Sequence, residues 1–190
     1  NKGGNKIFDF SAKECPALMR EVGRLREIAF RMAGGGTGKG CDIDEYDVSD
    51  IPFRQLIVWD PDEREILGGY RYILCKHLPQ TQEGTKYLAT SHMFHFTDEF
   101  IKEYFPKMIE LGRSFVQPLY QSSKAGAKSL YALDNLWDGL GSLVVDHPDM
   151  KYFFGKVTMY THFNLQARDY ILGFWRKYFG DKERLVYAYN

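Results

Sequence analysis

Two hydrophobic periods alternate along this chain, and their order predicts its elements. Ser11-Ala12-Lys13-Glu14 has the S-x-x-E pattern of a capping box, in which each side chain serves a free backbone N–H of the other residue. Leu18, Val22, Leu25, Ala29 and Met32 follow at spacings of four and three, which predicts a helix with one buried stripe. Arg20, Arg24 and Arg31 lie off that stripe, whereas Arg26 and Phe30 share one flank of it and can face the same neighbour. Residues 53–59 are large and β-branched, Asp60-Pro61-Asp62-Glu63 is turn chemistry, and residues 65–74 return, so a hairpin is expected. Residues 87–96 read as a further strand, 98–105 as a short helix or turn ended by Pro106, and 109–116 as a strand before Pro118. Residues 128–145 carry Leu130, Leu133, Leu136, Leu140 and Leu143 in helical register. A strand at 151–160 and an aromatic amphipathic helix at 165–179 close the series.

That order is helix, three strands, short helix, strand, helix, strand, helix. It predicts a mixed α/β fold with a partly antiparallel sheet flanked by helices, in a single domain over 1–190. Residues 1–10 read as a terminal segment, and their start lacks an initiator Met, as a trimmed terminus would. No repeat or Pro-rich linker divides the chain.

The stretch at 24–47 changes the picture most. A helix runs into Gly34-Gly35-Gly36-Thr37-Gly38-Lys39-Gly40 and then into Asp42-Ile43-Asp44-Glu45-Tyr46-Asp47. A phosphate loop needs G-x-x-x-x-G-K-[ST] after a strand and before a helix. Ala33 stands at the leading glycine, Gly40 at the hydroxyl, a helix precedes, and an acidic run that would repel phosphate follows. The remaining readings are a plain connection or a mobile flap over 33–47, since clustered glycines are costly to order.

Composition adds bounds rather than a function. Hydrophobic content of 44% with charged content of 26% is that of an ordinary soluble protein. Aromatic content of 16% suits an apolar cleft or a well-packed sheet equally. A net charge of zero gives no broad basic face for nucleic acid. The cysteines, Cys15, Cys41 and Cys75, form an odd set without disulfide or metal spacing, and a reducing cytoplasm is the expected compartment. No apolar run reaches the roughly 18 residues of a membrane span, and no signal peptide opens the chain. His92 and His95, three apart on an expected strand, point to opposite faces and make no zinc pair. Asp42, Asp44 and Asp47 lack the glycine turn and distal Glu of an EF-hand.

The element order resembles the GNAT superfamily of N-acyltransferases. Within it, Arg26-x-x-x-Phe30, Asp44-x-x-Asp47, Arg71 and Glu110-x-x-Arg113 are similar to the signature of acyl-homoserine-lactone synthases and of the N-acyl amino acid synthases that start ornithine and glycine lipids. Leu136-Trp137-Asp138-Gly139-Leu140 and the last helix resemble the amino-acid-lipid members, some of which carry a hemolysin label. The resemblance spans residues 15–180. It implies a fatty acyl group moving from an acyl carrier protein or coenzyme A thioester to the amino group of a small amino acid, with no permanently bound cofactor. The expected partner is an acyl carrier protein, with no nucleic acid and at most peripheral contact at the inner membrane face.

The same resemblance implies roles. Glu110 is the expected base, acting through a water, against the plain alternative of a salt bridge with Arg113. In a regular strand those two face opposite sides, and a bulge would bring them together. Arg26, Arg71 and Arg113 with Asp44 and Asp47 imply an ion-pair cluster that either orders the loop or, with Phe30, grips the acceptor. The donor's pyrophosphate loop corresponds to Gln121, Lys124 and Gly126, departing from the family at Lys124. Lys86, Lys124 and Lys128 are candidate contacts for a carrier protein, or ordinary solvated charges. Asn164-x-x-Ala167-x-x-Tyr170 resembles the last GNAT helix, which implies Tyr170 as proton donor to the leaving thiolate, with Tyr160 as rival and core packing as alternative. The strands at 109–116 and 151–160 are expected to splay around the donor, so attack is direct and no nucleophile is needed. Phe30, Phe94, Phe96, Phe115, Trp137 and Phe153 could line an acyl channel, where each buried methylene contributes about 0.8 kcal/mol, or be plain core. The rivals are an acyl-homoserine-lactone-type synthase and a non-catalytic lipid-binding or hemolysin-like protein.

Overall fold

The computed structural model describes residues 2–121 and 126–189, without the side chains of residues 2, 127 and 128. Its elements run β1 (Lys6–Ser11), α1 (Pro16–Met32), α2 (Glu45–Val48), β2 (Arg54–Asp60), β3 (Glu65–Leu74), α3 (Gln82–Thr85), β4 (Phe94–Phe96), α4 (Asp98–Glu103), β5 (Met108–Val116), α5 (Ala127–Asp146), β6 (Tyr152–Phe154), α6 (Leu165–Phe179) and β7 (Val186–Ala188). Five strands form one sheet in the order β1-β2-β3-β5-β6, antiparallel throughout except for the parallel β5–β6 pair. The helix α5 makes the crossover that a parallel pair requires. The expected mixed, partly antiparallel sheet between helices is therefore present.

Alternation along the strands divides the core. Leu56, Val58, Tyr70, Tyr72 and Leu74 face α5, where Ala132, Leu136 and Leu143 close over them. Ile57, Ile66 and Phe115 face the opposite way and pack on Met19, Val22, Leu25 and Ala29 of α1. The long excursion between β3 and β5 continues that second layer, with Phe53, Ile73, Leu78, Leu88, Phe100 and Phe105 in one cluster. No helix among the described residues is long and apolar enough to cross a membrane.

The sequence pattern misplaces several boundaries. The reciprocal bonds of the Ser11–Glu14 box form, from Ser11 N to Glu14 Oε2 at 2.6 Å and from Glu14 N to Ser11 Oγ at 3.4 Å. They close the turn after β1, and the helix begins only at Pro16, whose missing N–H costs nothing there. Met32 is exposed, and the buried face instead includes Met19 and the charged Arg26 and Glu27. Of residues 87–96 only 94–96 are extended, paired with β7 in a separate two-stranded sheet. Of residues 151–160 only 152–154 pair. The terminal segment contains β1, an edge strand whose register puts Phe8 opposite Ile57. The closing helix has the expected bounds but buries none of its residues, and Tyr170, Phe174 and Trp175 lie exposed.

Gly84 has no room for a side chain, since a Cβ there would lie 1.7 Å from the Pro79 carbonyl oxygen. Alanine normally favours a helix over glycine by about 1 kcal/mol. Gly84→Ala is expected to reverse that sign and lower stability by about 1–3 kcal/mol, as overpacking does. A urea midpoint equal to or above wild type would contradict the packing of the β3–β5 excursion.

Candidate active site

The site begins where α1 ends. Gly34, with φ 89°, takes the left-handed position of a helix C-terminus. Its N–H bonds to the Arg31 carbonyl at 3.0 Å and that of Gly35 to the Phe30 carbonyl at 2.8 Å, the two bonds of a Schellman motif. The glycine run is thus first a helix stop. Beyond it the loop folds back on Glu27, which accepts bonds from Thr37 N (2.9 Å), Thr37 Oγ1 (2.6 Å) and Gly38 N (2.9 Å), and from Arg31 Nη2 (2.7 Å). The Thr37 hydroxyl bond, outweighing burial and aided by the loop amides and Arg31, draws the Glu27 carboxyl down to about 2.

The acidic run then makes a second cap. Asp44 is the N-cap of α2 and Asp47 its third residue, bonded reciprocally by Tyr46 N to Asp44 Oδ1 and Asp44 N to Asp47 Oδ2, each 3.1 Å. The same carboxylates hold three arginines. Arg26, fully buried, meets Asp47 Oδ2 at 2.8 Å and Asp42 Oδ2 at 3.2 Å, and also donates to the Asp42 carbonyl. Arg71 bridges Asp44 at 2.6 Å and Asp47 at 3.1 Å, with its guanidinium 4.9 Å from the Phe53 ring centroid. Arg113 meets Asp42 at 3.0 Å and Asp44 at 3.3 Å. Gln55, beside Arg71 in register, completes the ring by donating to Asp47 Oδ1 at 2.9 Å. Burial alone would raise the Asp47 carboxyl, but the Arg26 bond and charge, with Arg71, bring it to about 2. The expected cluster is present, and Asp42 is a member that its spacing did not single out.

Glu110 and Arg113 lie on one cavity because of a bulge. Arg71 pairs with Gly112 but Gly69 with Phe115, so Arg113 and Ser114 together oppose Tyr70. Arg113 sits at φ 51°, a left-handed conformation unfavourable for a side chain with a Cβ, and its two aspartates hold it there. Glu110 is 1% exposed and accepts from Ala89 N at 2.9 Å and Thr90 N at 3.0 Å. Burial pushes its carboxyl above the usual glutamate value, against the lowering effect of the Thr90 and Ala89 bonds and the Arg71 charge. Two accepted bonds leave lone pairs free for a proton or a water.

The β5–β6 pair supplies the opening. Its last rung is Glu110↔Phe154, after which residues 111–116 of β5 run on without a β6 partner. A cavity of about 440 Å³ fills this wedge, with Glu110 near its apex. It is lined by Leu111, Gly112 and Ser114 on one side, Lys156, Thr158 and Tyr160 on the other, and Phe30, Arg71, Arg113 and His92 around them. Gly35 of the loop approaches the Tyr160 hydroxyl so closely that a Cβ there would lie 2.6 Å from it.

Other expected participants lie elsewhere. Tyr170 is 71% exposed on α6 and does not line the cavity, whereas its rival Tyr160 does. Asn164 caps α6, accepting from Ala167 N at 3.0 Å, and is absent from the cavity lining. Gln121 donates to the Val116 carbonyl at 2.6 Å, and Gly126, with φ 58°, caps α5. Lys124 and the side chain of Lys128 fall outside the described residues, and Lys86 pairs with Glu83 at 2.7 Å. The six aromatics do not converge. Phe30 lines the cavity, Phe96 and Phe115 are core, and Trp137 is 67% exposed. Phe94 lines a different hollow with His95, and Phe153 a third, on the α5 side, with Ile109, Val144 and Met150. The contributions of Glu27, Lys156 and the Ala89 and Thr90 amides were not visible in the sequence, because each depends on a contact between distant segments. No group of three or more His, Cys, Asp or Glu among the described residues could hold a metal ion.

The wedge between β5 and β6 is the splayed strand pair that the GNAT resemblance predicts. Residues 25–130, more than half of the chain, match the model of the acetyltransferase (GNAT) domain. The chain belongs to the GNAT superfamily. Proteins named glycine N(alpha)-acyltransferase from Bacteroides thetaiotaomicron and Phocaeicola vulgatus are 60% and 57% identical to it over 186 residues. Those residues are 98% of this chain but 55% and 57% of the relatives, so the chain spans little more than half their length. Crystal structures of two aminoglycoside acetyltransferases from soil metagenomic samples align over 98% of this chain and 97% and 95% of theirs. Their identities are 15% and 14% and their TM-scores 0.47 and 0.39, values at which neither informs the site.

Removing one member of a buried ion pair strands its partners. Arg26→Met is expected to cost about 3–5 kcal/mol in urea unfolding at neutral pH, and a cost below 1 would show that the cluster contributes little. Glu27 and Asp47 both have depressed carboxyl values, so their contribution is complete above the unfolded values near 4 and is lost as pH falls towards 2. Glu27→Gln should flatten that acid-side loss of stability and speed amide exchange at Thr37 and Gly38. An unchanged acid slope together with unchanged exchange would mean that Glu27 does not anchor the loop.

Proposed function

We propose that this chain transfers an acyl group from a phosphopantetheine thioester to the amino group of a small amino acid, with glycine as the acceptor indicated by its relatives' names. The observation that carries this reading is Glu110, buried near the apex of the β5–β6 wedge and open to the cavity. The donor lies in the gap, where backbone groups of residues 111–116 without a β6 partner hold the pantetheine and polarise the carbonyl. Glu110 takes a proton from the ammonium through a water, and its raised value suits that task near neutral pH. The amine attacks, the C–N bond forms, and collapse breaks the C–S bond. Tyr160, at the cavity, protonates the thiolate and recovers a proton from the new amide nitrogen through solvent.

Direct attack fits the cysteines. Cys75 is fully buried, and burial pushes its thiol up. Cys41 donates to the Arg20 carbonyl at 3.3 Å, is likewise raised by burial, and like Cys75 does not line the cavity. The arginine–aspartate cluster serves chiefly to fix the loop and α2 beside the wedge, since its charges answer one another. Coenzyme A and an acyl carrier protein present the same pantetheine arm, and either would enter from the open end of β5.

Mass spectrometry of lipids from cells expressing the protein, and of purified reactions given acyl-CoA or acyl carrier protein thioester, tests this. New N-acylglycine is expected, and the two donor arms identify the carrier. Glu110→Gln should lower kcat by about 10²–10⁴-fold. The acid limb of kcat/KM should lie above the ordinary glutamate value of about 4.3 and vanish in the variant. Full activity in Glu110→Gln would remove it as the base. Absence of any acylated amino acid with either donor would favour a lipid-binding role.

A further inference from the structure

The charged groups around the cavity are almost all spoken for. Arg71 and Arg113 are paired with Asp42, Asp44 and Asp47, and Glu110 accepts from two backbone amides. Lys156 differs. It lines the cavity, its ammonium forms no ion pair among the described residues and feels the Glu110 charge only at a distance, and its hydrogen-bond contact is the Met93 sulfur at 3.5 Å. It stands two residues beyond Phe154, the β6 partner of Glu110, where the strands begin to part. Gly155 keeps the chain close to β5 at that point, since a Cβ there would lie 2.8 Å from the Leu111 carbonyl oxygen. Lys156 is therefore held at the reacting end of the wedge.

We propose that Lys156 binds the carboxylate of the acceptor amino acid, placing its amino group between Glu110 and the thioester carbonyl. This rests on the acyl-transfer reading above and adds what selects an amino acid over a simple amine. A donor phosphate is a poor match for this ammonium. Gln121, where the sequence's candidate phosphate loop begins, bonds to the Val116 carbonyl at the far end of β5, and residues 111–116 alone extend about 17 Å. Arg113 is the rival cation, but two aspartates already occupy it. Lys156 is exposed as a residue, yet partial desolvation, followed by the nearby Arg113 and Arg71 charges and opposed by Glu110, pushes its ammonium down, a shift that an arriving carboxylate would counter. An ammonium–carboxylate pair also acts over a short reach, which suits an acceptor whose two ends are separated by one carbon.

The test compares glycine with glycinamide, which keeps the amine and lacks the carboxylate, in wild type, Lys156→Met and Lys156→Arg. Wild type should prefer glycine strongly. Lys156→Met should raise the glycine KM about tenfold or more, leave the donor KM unchanged, and use the two acceptors almost equally. Lys156→Arg should keep part of the preference. The exposed position of Lys156 lets the variants fold, and a wild-type urea midpoint checks this. An unchanged glycine KM, or a preference that survives in Lys156→Met, overturns the assignment and leaves the acyl-transfer reading intact. A fall in kcat alone, equal for both acceptors, overturns it too, placing the ammonium at the thioester oxygen instead. Wild-type protein that acylates no amino acid defeats both readings together.

Discussion

Three arginines from α1, β3 and β5 meet three aspartates from one short acidic run, and most of what is particular to this structure depends on that meeting. None of the arginines is near the others in sequence. Each would be costly to bury alone, and each is compensated only when helix, sheet and loop are all in place. The cluster therefore acts as a coincidence detector for the tertiary fold. Its contribution to net stability is modest in principle, because desolvation offsets much of the Coulomb gain. One carboxylate does two jobs here: Asp44 caps α2 and also orients Arg71 and Arg113.

The wedge and the cluster share β5, and the two demands on that strand conflict. The donor gap needs residues 111–116 free on the β6 side, whereas the other side must pair with β3. The bulge at Arg113 and Ser114 lets one strand satisfy both neighbours while Glu110 and Arg113 turn to the same cavity. The loop after α1 completes the wall, tied down at Glu27 and pressed to Tyr160 at Gly35. Its glycines have a steric task that the sequence pattern alone would assign to motion.

Legibility followed the range of the physics. The α1 stripe, the hairpin and the bounds of α6 were readable because they are set by local periodicity and turn chemistry. The family motifs located Arg26, Asp44, Asp47, Arg71, Glu110 and Arg113, which the structure brings into two adjoining groups. What stayed hidden depended on distant contacts. Residues 87–93 look extended by composition but fold back to offer two amides to Glu110. Lys156 reads as one lysine among many until the pairing of its neighbours leaves it alone. The aromatic periodicity of α6 suggested core, yet the helix stands outside the packed layers, because periodicity reports an apolar face and not what covers it.

A β-strand counts in twos, and β5 between Glu110 and Arg113 counts to three. The site is in that sense a parity error kept on purpose. Deleting Ser114 would restore even pairing with β3 and improve the sheet as a sheet. It would also send the Arg113 guanidinium to the α5 side and leave Asp42 with Arg26 and Asp44 with Arg71 as their remaining cations. Selection for a more regular strand and selection for the pocket therefore pull in opposite directions at one peptide unit. Length, more than composition, is the quantity under constraint there.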